Sequence, residues 1–232
     1  MNRREFIKMQ AALCAGTAVF SGFPKNLLAS GAPDIAVVKG SPYVAARAAV
    51  EMLGGMSAFV RPGQKVVIKP NMSFASGVES ACNTHPEVVR SLLEMCQEAG
   101  AASVLVLDHA FQGGTRSMEM SGILDACNSV REGVCRNLTH ERYYRETGLP
   151  EAKAMPRNYI MKDVLEADVL IAAPVAKTNS STGVSLSLKG QMGLILDRNV
   201  MHWRYDLDTS VVDLCQVIRP SLSVIDASRV LS

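Results

Sequence analysis

Four short runs of consecutive apolar residues constrain the fold of this chain more than any other feature. They are Val66-Val67-Ile68 and the segments 104–107, 169–173 and 222–225, and apart from Ser223 they contain no polar residue. A strand that is buried on both faces has this pattern, as in a parallel sheet covered on both sides. Segments with helical spacing of apolar residues separate the runs. The pattern predicts an α/β fold with a mainly parallel sheet and helices on both faces.

The connections between these runs contain recognisable helix signals. The sequence Thr84-His85-Pro86-Glu87 is typical of a capping box with Thr84 as the N-cap. Gly100 is typical of a helix C-terminus, so a helix is expected between the two. The other predicted elements are a short strand at 35–38, helices at 43–53, 117–128 and 209–218, and either a partly helical connection or a β-excursion at 129–158.

The N-terminus has the organisation of an export signal. Arg3, Arg4 and Lys8 precede an apolar stretch at 9–23, and small residues follow at 29–32. This order predicts a signal peptide over residues 1–31, and the paired arginines are typical of the twin-arginine route. The expected location is therefore the periplasm, with the twin-arginine export machinery as a partner. The alternative is an uncleaved signal that anchors the protein to the membrane. Residues 32–232 are then expected to form a single α/β domain.

The charge balance argues against a nucleic-acid partner. The chain has 24 Lys+Arg and 22 Asp+Glu, which gives a formal net charge of +2. Loss of residues 1–31 would remove four basic residues and Glu5, so the net charge would become about −1. A nucleic-acid-binding domain carries a broad basic surface, which this composition does not provide.

The six cysteines do not form a recognisable metal-binding pattern. No C-x-x-C spacing occurs, so neither a ferredoxin motif nor a zinc ribbon is present. We predict no metal site from these residues and leave the identity of any cofactor open. In an oxidising compartment a disulfide can form, and Cys127 and Cys135 are the pair closest in sequence.

Charged residues mark the ends of the predicted strands. Lys69, Asp108, Lys177 and Asp226 are each the first charged residue after an apolar run. Ligands of open α/β sheets bind outside the carboxyl ends of the strands. One interpretation is that these residues are simply solvated strand ends. The other, which we favour, is one shared site for a small anionic ligand.

A second group of residues extends this predicted site. Lys189 stands among Gly190 and Gly193, and glycines beside a lysine can turn backbone N–H groups toward an anion. The spacing matches neither a P-loop nor a G-x-G-x-x-G fingerprint. His202 precedes the single tryptophan, Trp203. We predict ligand binding by Lys69, Asn71, Lys177, Lys189 and Asp226, and proton transfer by Asp108, His109 and His202.

These motifs, taken in order, resemble a known family. The set comprises Val-Val-Ile-Lys69-Pro70-Asn71, Thr84-x-Pro86-Glu87, Asp108, Glu166-Ala-Asp168-Val-Leu-Ile, Lys177-Thr178, Leu188-Lys189-Gly-x-x-Gly193, His202 and Arg219-Pro220-x-Leu-x-Val-Ile-Asp226-Ala. Over roughly residues 35–232 this order is similar to the domain-of-unknown-function family 362. The resemblance implies an α/β fold, and it supplies no established reaction.

The sequence also departs from the pattern of the family that it resembles. The resemblance implies that other members carry appended iron–sulfur ferredoxin motifs, which this sequence lacks. Asn179 and Gly190 stand where family members often have His and Asn, which weakens a metal or catalytic role at these two positions. Family domains usually continue beyond the Asp226-Ala segment, so the sequence is expected to be truncated at its C-terminus.

Three classes of function are compatible with these features. The first is an exported enzyme or cofactor-dependent redox protein with one pocket at the strand ends. The second is an exported protein that binds an anionic ligand without chemistry. The third is a partner protein within a larger redox assembly. A strongly perturbed lysine or carboxylate in a pocket would favour the enzyme.

Overall fold

A computed structural model describes residues 33–111 and 114–231. In chain order its strands are β1 (Lys65–Pro70), β2 (Ser103–Asp108), β3 (Cys135–Asn137), β4 (Tyr144–Gly148), β5 (Arg157–Met161), β6 (Val169–Ala173), β7 (Val175–Asn179), β8 (Gly183–Ser185), β9 (Leu222–Ser223) and β10 (Asp226–Leu231). Its α-helices are α1 (Pro42–Met52), α2 (Pro86–Glu98), α3 (Thr115–Met120), α4 (Ile123–Asn128), α5 (Lys162–Leu165), α6 (Ser187–Gly190), α7 (Asn199–Trp203) and α8 (Leu207–Leu214). The predicted signal peptide lies outside the described residues.

A five-stranded sheet in the order β3-β2-β1-β6-β9 forms the centre of the fold, and all its neighbouring strands are parallel. The predicted parallel α/β architecture is therefore confirmed. Two smaller sheets accompany it: β10-β7-β8, and the antiparallel pair β4-β5. The polar segment 129–158 thus supplies β3, β4, the β4–β5 connection and the start of β5, which agrees with a β-excursion.

The two faces of the main sheet are covered by different elements. On one face Val66 and Ile68 pack into a core with residues of α1, α2 and α4. On the other face Val67 packs into a second core with Ile160 of β5 and Leu214 of α8. Because successive side chains of a strand point to opposite faces, the continuous apolar run of β1 supplies both cores. Helices cover one face as predicted, and a β-hairpin shares the other face with short helices.

Two predicted elements are wrong. Residues 35–38 form no strand, and Ile35 and Val37 are 79% and 89% exposed. A strand needs a neighbour for its backbone hydrogen bonds, and this segment pairs with none among the described strands. The helix predicted at 117–128 is two helices, α3 and α4, which are separated at Gly122. Gly122 adopts a φ of +73°, a conformation that ends a right-handed helix.

The predicted N-cap of α2 is shifted by one residue. His85, not Thr84, is the N-cap, and its Nδ1 accepts a hydrogen bond from the Glu87 N–H at 3.1 Å. Pro86 occupies the first helical position, where a missing N–H has no cost. Gly100 follows the helix with a φ of +84°, as expected for a C-terminal stop.

The helix predicted at 209–218 is confirmed in position but is shorter, because α8 ends at Leu214. The fourth predicted strand, 222–225, contributes only Leu222 and Ser223 to the main sheet. None of the helices in residues 33–111 and 114–231 combines the length and the apolar composition that a bilayer crossing requires.

Candidate functional site

The strand order creates a switch point between β1 and β6. From β1 the chain adds β2 and then β3 on one side, and β6 and β9 lie on the other side. Connections that leave in opposite directions open a crevice at the carboxyl ends of two adjacent strands. The crevice is therefore expected beside Lys69 and Pro70 of β1 and Ala173 of β6, which is the edge where the sequence places its charged residues.

A buried ion pair forms the floor of this region. Lys69 Nζ lies 3.1 Å from Asp108 Oδ1, and both side chains are almost completely buried. Asp108 Oδ2 accepts hydrogen bonds from the Met72 N–H and the Ser73 hydroxyl, both at 3.0 Å. Lys69 also donates to the Pro70 carbonyl. Burial lowers the pKa of Lys69, and Asp108 opposes that effect by stabilising the ammonium.

Gly193 covers the ion pair without leaving room for a side chain. A Cβ atom at this position would lie 2.1 Å from Asp108 Oδ1 and 2.5 Å from Lys69 Cε. The Gly193 carbonyl accepts a hydrogen bond from the His109 N–H at 2.8 Å. The glycine that the sequence associates with anion binding therefore allows the backbone to pack directly on the Lys69–Asp108 pair.

Three further cations lie around this floor, and we call Lys177, Lys189 and Arg198 the cation cluster. Lys177 is on β7, Lys189 is on α6, and Arg198 precedes α7. They are partly buried. None of the three forms an ion pair with a carboxylate within the described part of the chain.

The hydrogen bonds of the cation cluster go to neutral acceptors. Lys177 Nζ donates to the Cys82 carbonyl at 2.8 Å. Lys189 Nζ lies 2.8 Å from Met192 Sδ, and a thioether is a weak acceptor. Arg198 donates to the His109 carbonyl at 2.8 Å and to the Ala110 carbonyl at 3.3 Å. None of these hydrogen-bond acceptors carries a negative charge.

The electrostatics of the cluster follow from this arrangement. Burial lowers the pKa of Lys177, and the charges of Lys69 and Lys189 lower it further. Burial also lowers the pKa of Lys189, and Arg198 adds to that effect. Lys189 therefore lies near both Lys177 and Arg198.

Two predicted histidines lie at this cluster. His109 Nδ1 is 3.2 Å from the Ile195 carbonyl. Burial lowers the pKa of His109, and Arg198 lowers it further. Partial burial and the charges of Lys189 and Arg198 likewise lower the pKa of His202, although this residue of α7 is solvent-accessible. Both imidazoles are therefore expected to be neutral at pH 7.

Asn71 connects the two strands at the switch point. Its Oδ1 accepts from the Val175 N–H at 3.0 Å, and its N–H donates to Thr84 Oγ1 at 2.8 Å. The Thr84 hydroxyl donates in turn to the Ala173 carbonyl at 2.6 Å. The hydrogen bonds of Asn71 hold β1 to the end of β6 and the start of β7, and its ligand-binding role stays a prediction.

Asp226 belongs to a separate buried network. Its Oδ2 accepts from the His85 N–H at 2.8 Å and pairs with Arg229 at 3.2 Å. Its Oδ1 accepts from the N–H and the hydroxyl of Ser228. These contacts connect β10 with the start of α2. Lys177 and His109 therefore lie near the Lys69–Asp108 pair. His202 lies near Lys189 and Arg198, and Asp226 has different surroundings.

The cysteines do not fit an iron–sulfur cluster, the group that other family members suggest. Within the described residues, no three His, Cys, Asp or Glu side chains converge as ligands of a metal ion. Cys96, Cys127 and Cys135 lie inside the first core, and burial raises the pKa of the Cys96 thiol to about 12. A buried thiol with a raised pKa is a poor metal ligand and a poor nucleophile.

The sequence-based prediction missed Arg198, Phe74 and Phe111. Arg198 follows Asp197 in a polar segment, and no local pattern distinguishes it from a solvated surface residue. Phe74 and Phe111 follow the ends of β1 and β2 by a few residues. Their distance from the strand ends is the only signal that could have identified them.

Two known proteins are similar to most of this chain. The thylakoid-associated protein sll1697 of Synechocystis sp. is 25% identical over 194 residues, which is 81% of this chain and 59% of that protein. The lactate racemase apoprotein of Thermoanaerobacterium thermosaccharolyticum has a similar fold, with a TM-score of 0.55 and 16% identity over 86% of this chain and 52% of that chain. The chain thus spans little more than half the length of either protein.

A protein from Thermotoga maritima shows a weaker likeness, with a TM-score of 0.48 and 14% identity over 78% of this chain. The sequence profile of the domain of unknown function DUF362 matches residues 66–232, which include every residue of the site described above. The resemblance inferred from the ordered motifs is thereby confirmed, and the chain belongs to the DUF362 family.

Proposed function

We propose that this DUF362 domain binds a small oxyanion, a phosphate or a carboxylate, at the cation cluster. The observation that carries the proposal is that Lys177, Lys189 and Arg198 are partly buried and form no ion pair with a carboxylate among the described residues. Lys69, in contrast, is neutralised by Asp108. The site therefore has a net positive charge at the edge of the sheet where ligands of such folds bind.

The energetic argument concerns the cost of partly burying a charge. A charged group that is removed from water is destabilising unless another charge or several hydrogen bonds compensate it. The acceptors of Lys177 and Lys189 are one carbonyl and one thioether. A bound oxyanion supplies both the opposite charge and better acceptors, and charge-assisted hydrogen bonds are stronger than neutral ones. Anion binding is thus expected to stabilise the protein.

Isothermal titration calorimetry of the full chain with inorganic phosphate tests this proposal. Lys177→Ala and Lys189→Ala are each expected to weaken phosphate binding about tenfold or more, because hydrogen bonds to charged groups contribute about 1.5–3 kcal/mol. Lys65→Ala is the matched control, since Lys65 is an exposed lysine at the opposite end of β1. Equal affinity of all four proteins, or no binding by the unmodified chain, would refute the proposal.

A second candidate function is proton transfer on the bound anion. The supporting observation is the lowered pKa of His202, which provides a neutral imidazole beside Lys189 and Arg198 at pH 7. A neutral imidazole can act as a general base. NMR titration of His202 tests this idea: its pKa should lie below 6.5 and should rise when phosphate is added, because the anion offsets the nearby cations. An unchanged pKa would place His202 outside the site.

We also propose that residues 1–31 direct export by the twin-arginine route, on the sequence pattern alone. A fusion of residues 1–31 to a reporter enzyme should reach the periplasm. Replacement of both Arg3 and Arg4 by Lys should keep the reporter in the cytoplasm. Export that is unaffected by the double replacement would contradict the proposal.

A further inference from the structure

Two phenylalanine rings lie beside the cation cluster. The centroids of Phe74 and Phe111 are 6.0 Å apart, and the ring planes are tilted by 56°. This is a favourable separation for an aromatic pair. Phe74 is partly buried, and Phe111 is 63% exposed. One large ring surface therefore faces solvent at the rim of the site.

Each ring also contacts one member of the cation cluster. Lys177 Nζ is 5.0 Å from the centroid of the Phe74 ring, and the Arg198 guanidinium carbon is 5.8 Å from that of Phe111. Both distances are within the range of a cation–π interaction. An anion held by these cations would thus have an aromatic surface next to it.

Hydrogen bonds hold the backbone at both phenylalanines in position. The Phe74 N–H donates to Asn83 Oδ1 at 3.2 Å, and Asn83 Nδ2 donates to the Phe74 carbonyl at 2.8 Å. The Phe111 N–H donates to the Ser73 carbonyl at 3.1 Å, and Ser73 is bonded to Asp108. The backbone that carries Phe111 is therefore hydrogen-bonded to a residue that contacts the buried floor of the site. A backbone that is fixed in advance reduces the entropy lost when a ligand stacks on the ring.

We propose that the natural ligand of the cation cluster carries its phosphate or carboxylate group on an aromatic ring, which stacks against Phe111. This inference rests on the proposed function, because the cation cluster must hold the anionic group. The Phe111 ring then contributes affinity and distinguishes aromatic from aliphatic anions of equal charge. A planar ring is recognised by its face, so stacking tolerates differences among ring substituents.

Calorimetric titration of the full chain with phenyl phosphate and with methyl phosphate tests the inference, since the two probes share one anionic group and differ in the ring. Phenyl phosphate should bind about tenfold more tightly, which corresponds to the upper range for an aromatic pair. Phe111→Ala should weaken phenyl phosphate binding about tenfold relative to methyl phosphate binding, and so remove this preference. Val44→Ala, at an exposed apolar residue of α1, is the control and should keep the preference.

The outcomes separate this inference from the proposed function. Equal binding of the two probes by the unmodified chain would overturn the aromatic ligand and leave the oxyanion site intact. A preference that persists in Phe111→Ala would also overturn it. Binding of neither probe, with a folded protein, would refute both the oxyanion site and the aromatic ligand. Phe111 is exposed, so its replacement is not expected to disturb folding, and a thermal melt checks this.

Discussion

Gly193 shows how much one residue can determine at this site. The residue has no side chain, and for that reason the backbone after α6 lies directly on the Lys69–Asp108 pair. Asp108 connects β2 with β1 and the segment that follows β1: it pairs with Lys69, and it accepts hydrogen bonds from Met72 and Ser73. These contacts fix the segment that leads to Phe74. Gly193 and Asp108 therefore determine the local backbone geometry around the buried ion pair of the site.

Gly193→Ala is expected to destabilise the protein by about 3 kcal/mol or more, because overpacking of a tight interior usually costs about 1–3 kcal/mol and the new Cβ would overlap a carboxylate oxygen. Chemical denaturation with urea measures the free energy of unfolding. Gly77→Ala is the matched control, since no atom lies within 4 Å of a Cβ at Gly77. Equal stability of the two variants would contradict the packing described here.

Asp108→Asn is expected to lower the free energy of unfolding by about 3–5 kcal/mol, the usual cost of leaving one member of a buried ion pair without its partner. The amide keeps the size of the carboxylate, so loss of charge is the main change. Addition of Lys69→Met should recover part of this loss, because it removes the unpaired ammonium. If the double variant is less stable than Asp108→Asn, the ion pair is not the source of the effect.

Among the secondary-structure elements, α8 shows how a short helix is joined to the hairpin on the second face. Asp213 of α8 accepts hydrogen bonds from the N–H groups of Lys153, Ala154 and Met155, each at 2.9 Å. Burial raises the pKa of Asp213, but these backbone hydrogen bonds outweigh it and hold the pKa below its usual value. One carboxylate thus connects α8 to the segment before β5.

Asp213→Ala is expected to destabilise the protein by about 2–4 kcal/mol, because three backbone N–H groups lose a charged acceptor. The folded-state pKa is depressed, so this stabilisation is present above the ordinary aspartate pKa of 3.8 and disappears as the pH falls through the lower folded value. Urea denaturation near pH 7 and again at acidic pH measures both effects. A difference between variant and unmodified protein that does not shrink under acid would contradict this account.

For the whole molecule, the sequence is sufficient to predict the sheet and only part of the site. Continuous apolar runs identify β1, β2 and β6 because these strands are buried on both faces. Lys177 and His202 each lie near Lys189, while the predicted roles of these three residues in binding and proton transfer stay predictions. Arg198 cannot be predicted in this way. Its position near Lys189 depends on the path of the chain after the short 3₁₀ helix Gln191–Leu194.

Two other predicted ligand residues show why a charged or polar strand end is an ambiguous signal. Asp226 begins β10, which belongs to a different sheet, and its carboxylate bonds to His85 and Arg229. Asn71 follows β1 directly, yet its amide oxygen bonds to Val175. Polar groups at the ends of strands can satisfy buried backbone groups as readily as they bind ligands. Only the three-dimensional contacts distinguish these roles.

The positive charge of the site predicts how its affinity for an anion depends on pH. Sulfate is a suitable probe, because its own charge is constant across the range tested. The pKa values of Lys177 and Lys189 are lowered from 10.5. A bound anion favours the ammonium form, so sulfate affinity depends on the two lysines being protonated. The affinity should fall once the pH exceeds the lowered lysine pKa values, before 10.5 is reached. Calorimetry across this range measures the change, and an affinity that is unaffected up to 10.5 would contradict it.

The position of phosphate in a crystal of the protein tests the central claim most directly. We expect phosphate at the carboxyl end of the sheet, with its oxygens about 3 Å from the nitrogen atoms of at least two of Lys177, Lys189 and Arg198. The Lys69–Asp108 pair should remain intact beneath it. A crystal in which phosphate is bound elsewhere, or in which the cation cluster contacts no anion at a saturating phosphate concentration, would contradict the assignment of this edge as the ligand site.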